Sequence, residues 1–258
     1  MRVDVLALQQ FYGGPMGQAA LTMAGRRILD AWGDCKGLDV LGFGYATPFM
    51  TPWRTSARRT VALMPATQGV ERWPSDGPNQ TCIGDEDRLP FQEAMFDRIL
   101  CVHALEEAEN PRALMRELWR ALAPEGRILI CVANRSGMWA RTENTPFGQG
   151  RPFSRGQMTG LLSDAMFQPV AWSRALYAPP LSWKLATGGA AETWESVGEK
   201  AWPAMGGLLL VEAVKRLYAD SLPGSGRKVL LAQPAIARFV GNIAQTRPKN
   251  ERQADTEM

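Results

Sequence analysis

"GDEDRLPFQEAMFDRILCVHALEEAENPRALMRELWRALAPEGRILICVANR", residues 84 to 135, sets two apolar runs on either side of the clearest helix in the chain. "FDRILCV" (96 to 102) and "GRILICVA" (126 to 133) read as buried strands, apolar apart from Asp97, Arg98 and Arg127 near their starts. Between them Asn110 offers an N-cap and Pro111 takes the first helical position, where its missing N–H costs nothing. Leu114, Met115, Leu118, Trp119 and Leu122 then fall on one face at helical spacing. "APEG" (123 to 126) ends that helix and turns the chain into the next strand.

Working outward, "GLDVLGFG" (37 to 44) and "TVALM" (60 to 64) read as buried strands, with "QTCIG" (80 to 84) a weaker third. A helix over "MGQAALTMAGRRILDAW" (16 to 32) leads to the first strand. Another follows in "FSRGQMTGLLSDAMF", with Ser154 as its cap and Leu161, Leu162 and Met166 on its apolar side. "WSRALYAPP" (172 to 180) and "GLLLVEAVKRLY" (207 to 218) supply two more strands at one sheet edge, with a helix between them. Repeated strand–helix units predict an α/β fold: a doubly wound, mostly parallel seven-stranded sheet with right-handed crossovers. The final "RPKNERQADTEM" is polar and aperiodic and reads as a mobile tail.

A chain of 258 residues, 45% hydrophobic, suits one domain with embellishments. A net charge of +3 without a basic stripe does not argue for nucleic acid. The run "RTSARR" (Arg54 to Arg59) reads as the wet face of a helix. No apolar leader opens the sequence, and "GGLLLVEAVKRL" is too short to span a membrane. Cys35, Cys82, Cys101 and Cys131 show no paired spacing and read as reduced core cysteines of a cytoplasmic protein. One histidine and no paired cysteines give no basis for a metal site.

"DVLGFGYATPF" (39 to 49) places Gly42 and Gly44 at the end of the first strand, where a glycine turn lets backbone approach a ligand. A dinucleotide site asks for a third glycine where Thr47 stands and for an acid about 20 residues on. Neither is present, which disfavours NAD. A P-loop is excluded, because no Gly-Lys-Ser/Thr occurs.

The ordered set Gly84-Asp85, Leu89-Pro90-Phe91, Phe96-Asp97, Asn110-Pro111, Arg116-Glu117-Leu118 and Pro124-Glu125-Gly126 resembles class I S-adenosylmethionine-dependent methyltransferases of the type 11 group. The resemblance covers about residues 35 to 220 and is specific over 80 to 135. It implies an N-terminal lid and helix (1–33), a methyltransferase domain (34–220) and a C-terminal extension with a mobile tail (221–258). It implies S-adenosylmethionine as cofactor and S-adenosylhomocysteine as product. Gly42, Phe43 and Gly44 would line the methionine moiety; at the ribose, Thr67 or Gln68 could accept in place of an acid, or Met64 and Pro65 could occupy its space. Asp85 and Glu86 would meet the adenine, and Cys101, Val102 and His103 would pass beneath the sulfonium. Two acids of the pattern are missing: Val40 stands at one position, Pro65-Ala66 at the other, and no Asp or Glu occurs from Val40 through Val70.

Methyl transfer needs in-line positioning, and a base only where the acceptor must lose a proton. His103 and Glu107 are the catalytic candidates; each reads equally as packing or as a helix flank. Arg141, Glu143 and Arg155, in the loop after the fifth strand, are candidates to recognise an anionic, partly apolar acceptor, or equally to hold that loop by ion pairs. In such folds "QQFYGGPMG" lies over the cofactor mouth as a lid, with Tyr12 as its gate or as buried packing. The alternative is a non-catalytic protein of this fold, working as a binding or regulatory subunit. Late tryptophans such as Trp194 and Trp202 point to a homodimer or protein partner through the C-terminal region.

Overall fold

The computed structural model describes residues 2–180 and 190–217, all within one unit, Met1–Pro223. One seven-stranded sheet is built from β1 (Asp39–Gly44), β2 (Arg59–Pro65), β3 (Thr81–Gly84), β4 (Phe96–Val102), β5 (Leu122–Ala133), β6 (Phe167–Ala175) and β7 (Leu208–Lys215). Their order is β3-β2-β1-β4-β5-β7-β6. The first five are parallel, and β7 runs antiparallel to both β5 and β6. The expected doubly wound sheet is therefore present. No helix among the described residues is long and apolar enough to cross a membrane.

Side chains alternate across this sheet with a period of two. Val40, Met64, Leu100, Val102 and Leu129 face one core layer, covered by α1 (Val5–Gly13) and α2 (Pro15–Trp32). Leu41, Phe43, Leu63, Ile99 and Cys101 face the other, covered by α4 (Pro111–Ala121) and α5 (Arg155–Asp164). The short α3 (Thr47–Met50) follows β1, and α6 (Ala190–Ala201) lies between β6 and β7.

The motif pieces that carry the resemblance are knitted together by hydrogen bonds. Glu117 Oε2 accepts from Leu89 N at 2.9 Å. Arg120 donates to the Phe91 and Leu89 carbonyls at 2.8 and 3.1 Å, and pairs with Glu117 at 2.7 Å. The Leu-Pro-Phe segment is thus fastened to α4 by the helix's own polar face. Asn110 caps α4 through Ala113 N, with Pro111 in its first turn.

Several expectations change. The strand expected over 172 to 180 runs Phe167–Ala175, and Met166, expected on the apolar side of α5, lies past that helix and is exposed. The basic run Arg54 to Arg59 is a turn into β2 rather than a helix. Arg58 and Arg59 instead clamp Asp39, at 2.6 and 3.1 Å, at the amino end of β1. Leu122 leaves the helix and pairs with Phe96, so β5 begins four residues before Gly126; its burial in the sheet outweighs its helical spacing. Residues 5 to 13 form a helix that the sequence reading passed over. Asp4 caps it by accepting from Leu6 N, and Val5, Leu8 and Tyr12 are its buried residues. Residues 181–189 and 218–258, with the mobile tail and the C-terminal extension, lie outside the described residues, as does the side chain of Trp194.

Candidate functional site

The strand order reverses between β1 and β4, and an open α/β sheet offers its ligand crevice at the carboxyl ends of the strands there. Gly44 sits at that point with φ of 77°. A Cβ on it would lie 2.2 Å from the Val102 carbonyl oxygen, and Tyr45 N donates to that same oxygen at 2.9 Å. Glycine is needed here because the turn must pass against β4 in the left-handed region. Gly42 has a different reason: a Cβ there would meet Met50 Sδ of α3 at 2.1 Å. Along the same edge Ala66 N donates to Gly84 O at 3.0 Å, which brings Asp85 beside the end of β2. Asp85 is exposed, whereas Phe43, Met64, Cys101, Val102 and His103 are all buried.

The N-terminal segment covers this edge. Tyr12 is buried, with its hydroxyl 2.7 Å from His103 Nε2. Its ring stacks on Tyr45 at 5.7 Å and meets Phe49 edge-on at 5.8 Å. Tyr12 therefore fills the space between the glycine turn and the end of β4. Arg2 Nη2 donates to Glu86 Oε2 at 2.6 Å and to Ala104 O at 3.2 Å. Val3 N donates to Glu107 Oε2, and Val5 N to Gln68 O, both at 2.8 Å. Glu71, the first acid after β2, accepts from Gln9 of α1 at 2.7 Å, from the Tyr45 hydroxyl at 3.1 Å, and from Thr47. Sequence spacing gave no sign that Arg2, Tyr45 and Glu71 would meet here.

Beneath this segment several buried polar atoms have no partner: Arg2 Nε and Nη1, Gln68 Oε1, Glu106 Oε2 and Glu107 Oε1. Each such atom costs about 1–3 kcal/mol when left unmade. Burial pushes the His103 imidazole down to about 3, so the ring stays neutral and is a poor proton acceptor. His103 also has φ of 49° and a ring centroid 4.8 Å from that of Phe147. Burial raises Glu106 to about 7, even though Ala133 N donates to its Oε1 at 2.8 Å. Burial also raises Glu107, against the opposing pull of Val3 N and Arg2.

The Glu106 shift fixes a pH dependence. Its folded pKa of about 7 lies above the ordinary 4.5. As pH rises between those values, the unfolded chain sheds the proton that the folded chain keeps, so stability falls through this window. The full penalty is on the order of 3 kcal/mol above pH 7. Glu106→Gln is expected to melt progressively higher than the parent from pH 5 to pH 8. Parallel melting curves across that range would remove Glu106 as the titrating group.

A cavity of about 600 Å³ opens between α1 and the loop after β5, lined in part by Arg2, Gln10, Phe11, Glu143, Thr145 and Gln149. Phe11 and Phe147, in edge contact at 6.0 Å, separate it from His103. Of the acceptor candidates, Glu143 lines this cavity and Tyr12 lies over His103. Arg141 is exposed and does not line the cavity, and Arg155 stacks on Trp172 at 4.8 Å, beside α5 and β6.

Tested against S-adenosylmethionine, the residues present fit in kind. A glycine turn stands at the switch point, Asp85 is open at the end of β3, and an unpaired buried acceptor, Gln68 Oε1, follows β2. Tyr12 and Arg2 hold that space in this conformation.

Residues 38–130 match the methyltransferase-domain family of type 11. The demethylmenaquinone methyltransferase of Mycobacterium tuberculosis is 40% identical over 48 residues, 19% of this chain and 20% of that protein. The chain thus matches about a fifth of the length of such curated relatives. A Thermotoga maritima S-adenosylmethionine-dependent methyltransferase superposes with a TM-score of 0.55 at 13% identity, over 81% of this chain and 94% of that one. A protein in complex with the Haloferax volcanii Trm112 methyltransferase activator gives 0.53 at 18% identity, over 74% and 88%. At these identities the structural likeness concerns the fold.

Proposed function

From residues 38–130, which belong to the type 11 methyltransferase-domain family, we propose that the chain is an S-adenosylmethionine-dependent methyltransferase acting on a small molecule. The match spans β1 through most of β5 and includes the glycine turn at the switch point; that coincidence carries the reading. When bound, the cofactor supplies a methyl group on a sulfonium, already a good leaving group. The chain's own part is positioning and proton handling. The Gly42–Gly44 turn and β4 would form the floor for the cofactor, and Asp85 would accept from its adenine amino group. An acceptor enters by the cavity beside Glu143, past Phe11 and Phe147. Glu106, with Oε2 free and its pKa near neutrality, takes a proton where the acceptor must lose one. In the closed conformation the neutral His103 ring holds Tyr12 in place. Four free cysteines suit a reducing compartment such as the cytoplasm.

Titration calorimetry of the full chain with S-adenosylhomocysteine tests this reading, repeated on Tyr12→Ala to weaken the hold of α1. Binding in either protein supports it, and no heat from either at millimolar ligand overturns it. The filled crevice and the acid-free stretch from Val40 to Val70 favour one second reading, a domain that keeps the fold as a binding or regulatory subunit. That reading predicts silence in both titrations and a co-purifying protein partner.

A further inference from the structure

The chain has no acid at the end of β2, yet a buried acceptor stands just beyond it. Gln68 is 1% exposed. Its Nε2 donates to the His103 carbonyl oxygen at 3.3 Å. Because a carbonyl can only accept, this contact fixes which end of the amide is nitrogen and turns Oε1 away from β4. Oε1 is buried without a partner, while the residue's own backbone carbonyl is taken by Val5 N of α1. A buried polar atom left unmade is unusual in a folded protein and asks for a reason. The position supplies one. In glycine-turn α/β sheets, the residue that holds a ribose hydroxyl comes about 20 residues after the turn, at the end of the neighbouring strand. Gln68 lies in the turn just beyond Pro65, the last residue of β2, which is the strand paired with β1, and comes about 20 residues after Gly44. Glu71, the nearest acid, already has Gln9, Tyr45 and Thr47 as donors.

Resting on the methyltransferase reading above, we propose that Gln68 is the ribose-recognition residue of this chain, its Oε1 accepting a hydrogen bond from a ribose hydroxyl once α1 lifts. A neutral amide replaces the carboxylate usual at such a position. It gives weaker discrimination, and discrimination that does not change with pH between 5 and 8.

Calorimetry with S-adenosylhomocysteine and its 2′-deoxy and 3′-deoxy analogues tests this, using the full chain carrying Tyr12→Ala so that α1 is already loosened. One neutral hydrogen bond predicts roughly three- to tenfold weaker binding of one deoxy analogue. In the Gln68→Met background, which keeps the volume and loses the acceptor, that preference disappears. In Gln68→Glu it grows beyond roughly tenfold, as a charged acceptor requires. A purely structural Gln68 would shift all three affinities together and leave the ratio intact, which overturns the proposal while the methyltransferase reading stands. Loss of the preference in Glu71→Gln but not in Gln68→Met overturns it as well. No binding of S-adenosylhomocysteine at all defeats both the proposal and the reading beneath it.

Discussion

Tyr12→Ala is expected to tighten S-adenosylhomocysteine binding by ten- to a hundredfold. The Tyr12 ring lies against Tyr45 and Phe49, with its hydroxyl on His103, so it occupies the space that a ligand at the glycine turn would take. A ligand that needs the crevice open has its affinity reduced by the fraction of molecules in which it is open. Cutting a buried aromatic back to alanine removes about 3–5 kcal/mol of packing. Here much of that loss falls on the closed state alone, and the gain stops once the open state dominates. Tyr12→Phe removes only the hydrogen bond, worth about 1 kcal/mol, and is expected to give roughly a fivefold gain. Unchanged affinity in both variants, with folding intact, would show that α1 does not gate the crevice.

Gly44→Val is expected to destabilise the fold severely. Its Cβ would lie 2.2 Å from the Val102 carbonyl oxygen and 2.9 Å from Ala104 Cβ, at φ of 77°. A β-branched residue is strained at that φ, and the obstacle is backbone in the middle of the sheet, which cannot swing aside. Such strain belongs with the rare losses above about 4 kcal/mol, a fall of about 10 °C or more in melting temperature for a domain of this size. Gly160→Ala provides the contrast. Nothing lies within 4 Å of its added Cβ in α5, and alanine is the better helix former. That variant is expected to melt slightly above the parent, by calorimetric scan.

The motif set from Gly84 to Gly126 was legible in the sequence because it serves local structure. Asn110 and Pro111 start α4, and Glu117 and Arg120 on that helix bind the Leu89 to Phe91 segment a short way upstream. Those contacts join neighbours in one strand–helix–strand unit, so residue spacing records them. Gly44 was legible for the same reason, since a turn that hugs the next strand leaves few residue types to choose from. The helical reading of Arg54 to Arg59 failed because composition alone does not distinguish a wet helix face from a turn. The deciding contact, Arg58 and Arg59 on Asp39, spans two strands. The charge state of Glu106 was equally out of reach, because it follows from burial under a loop and a helix from distant parts of the chain.

By itself the sequence determined the sheet, its alternating faces and the glycine turn at its centre, because period, capping and turn chemistry act over a few residues. The resemblance put Tyr12 over that turn and Gln68 near it, but only the tertiary structure decided how they meet there. Tyr12, Arg2, Gln68 and Glu106 come from segments as much as a hundred residues apart, and no local pattern encodes their meeting. Their geometry follows from how α1 packs across the ends of the strands. That packing is settled by the fit of buried side chains and by which polar atoms find partners, and it leaves Gln68 Oε1 without one.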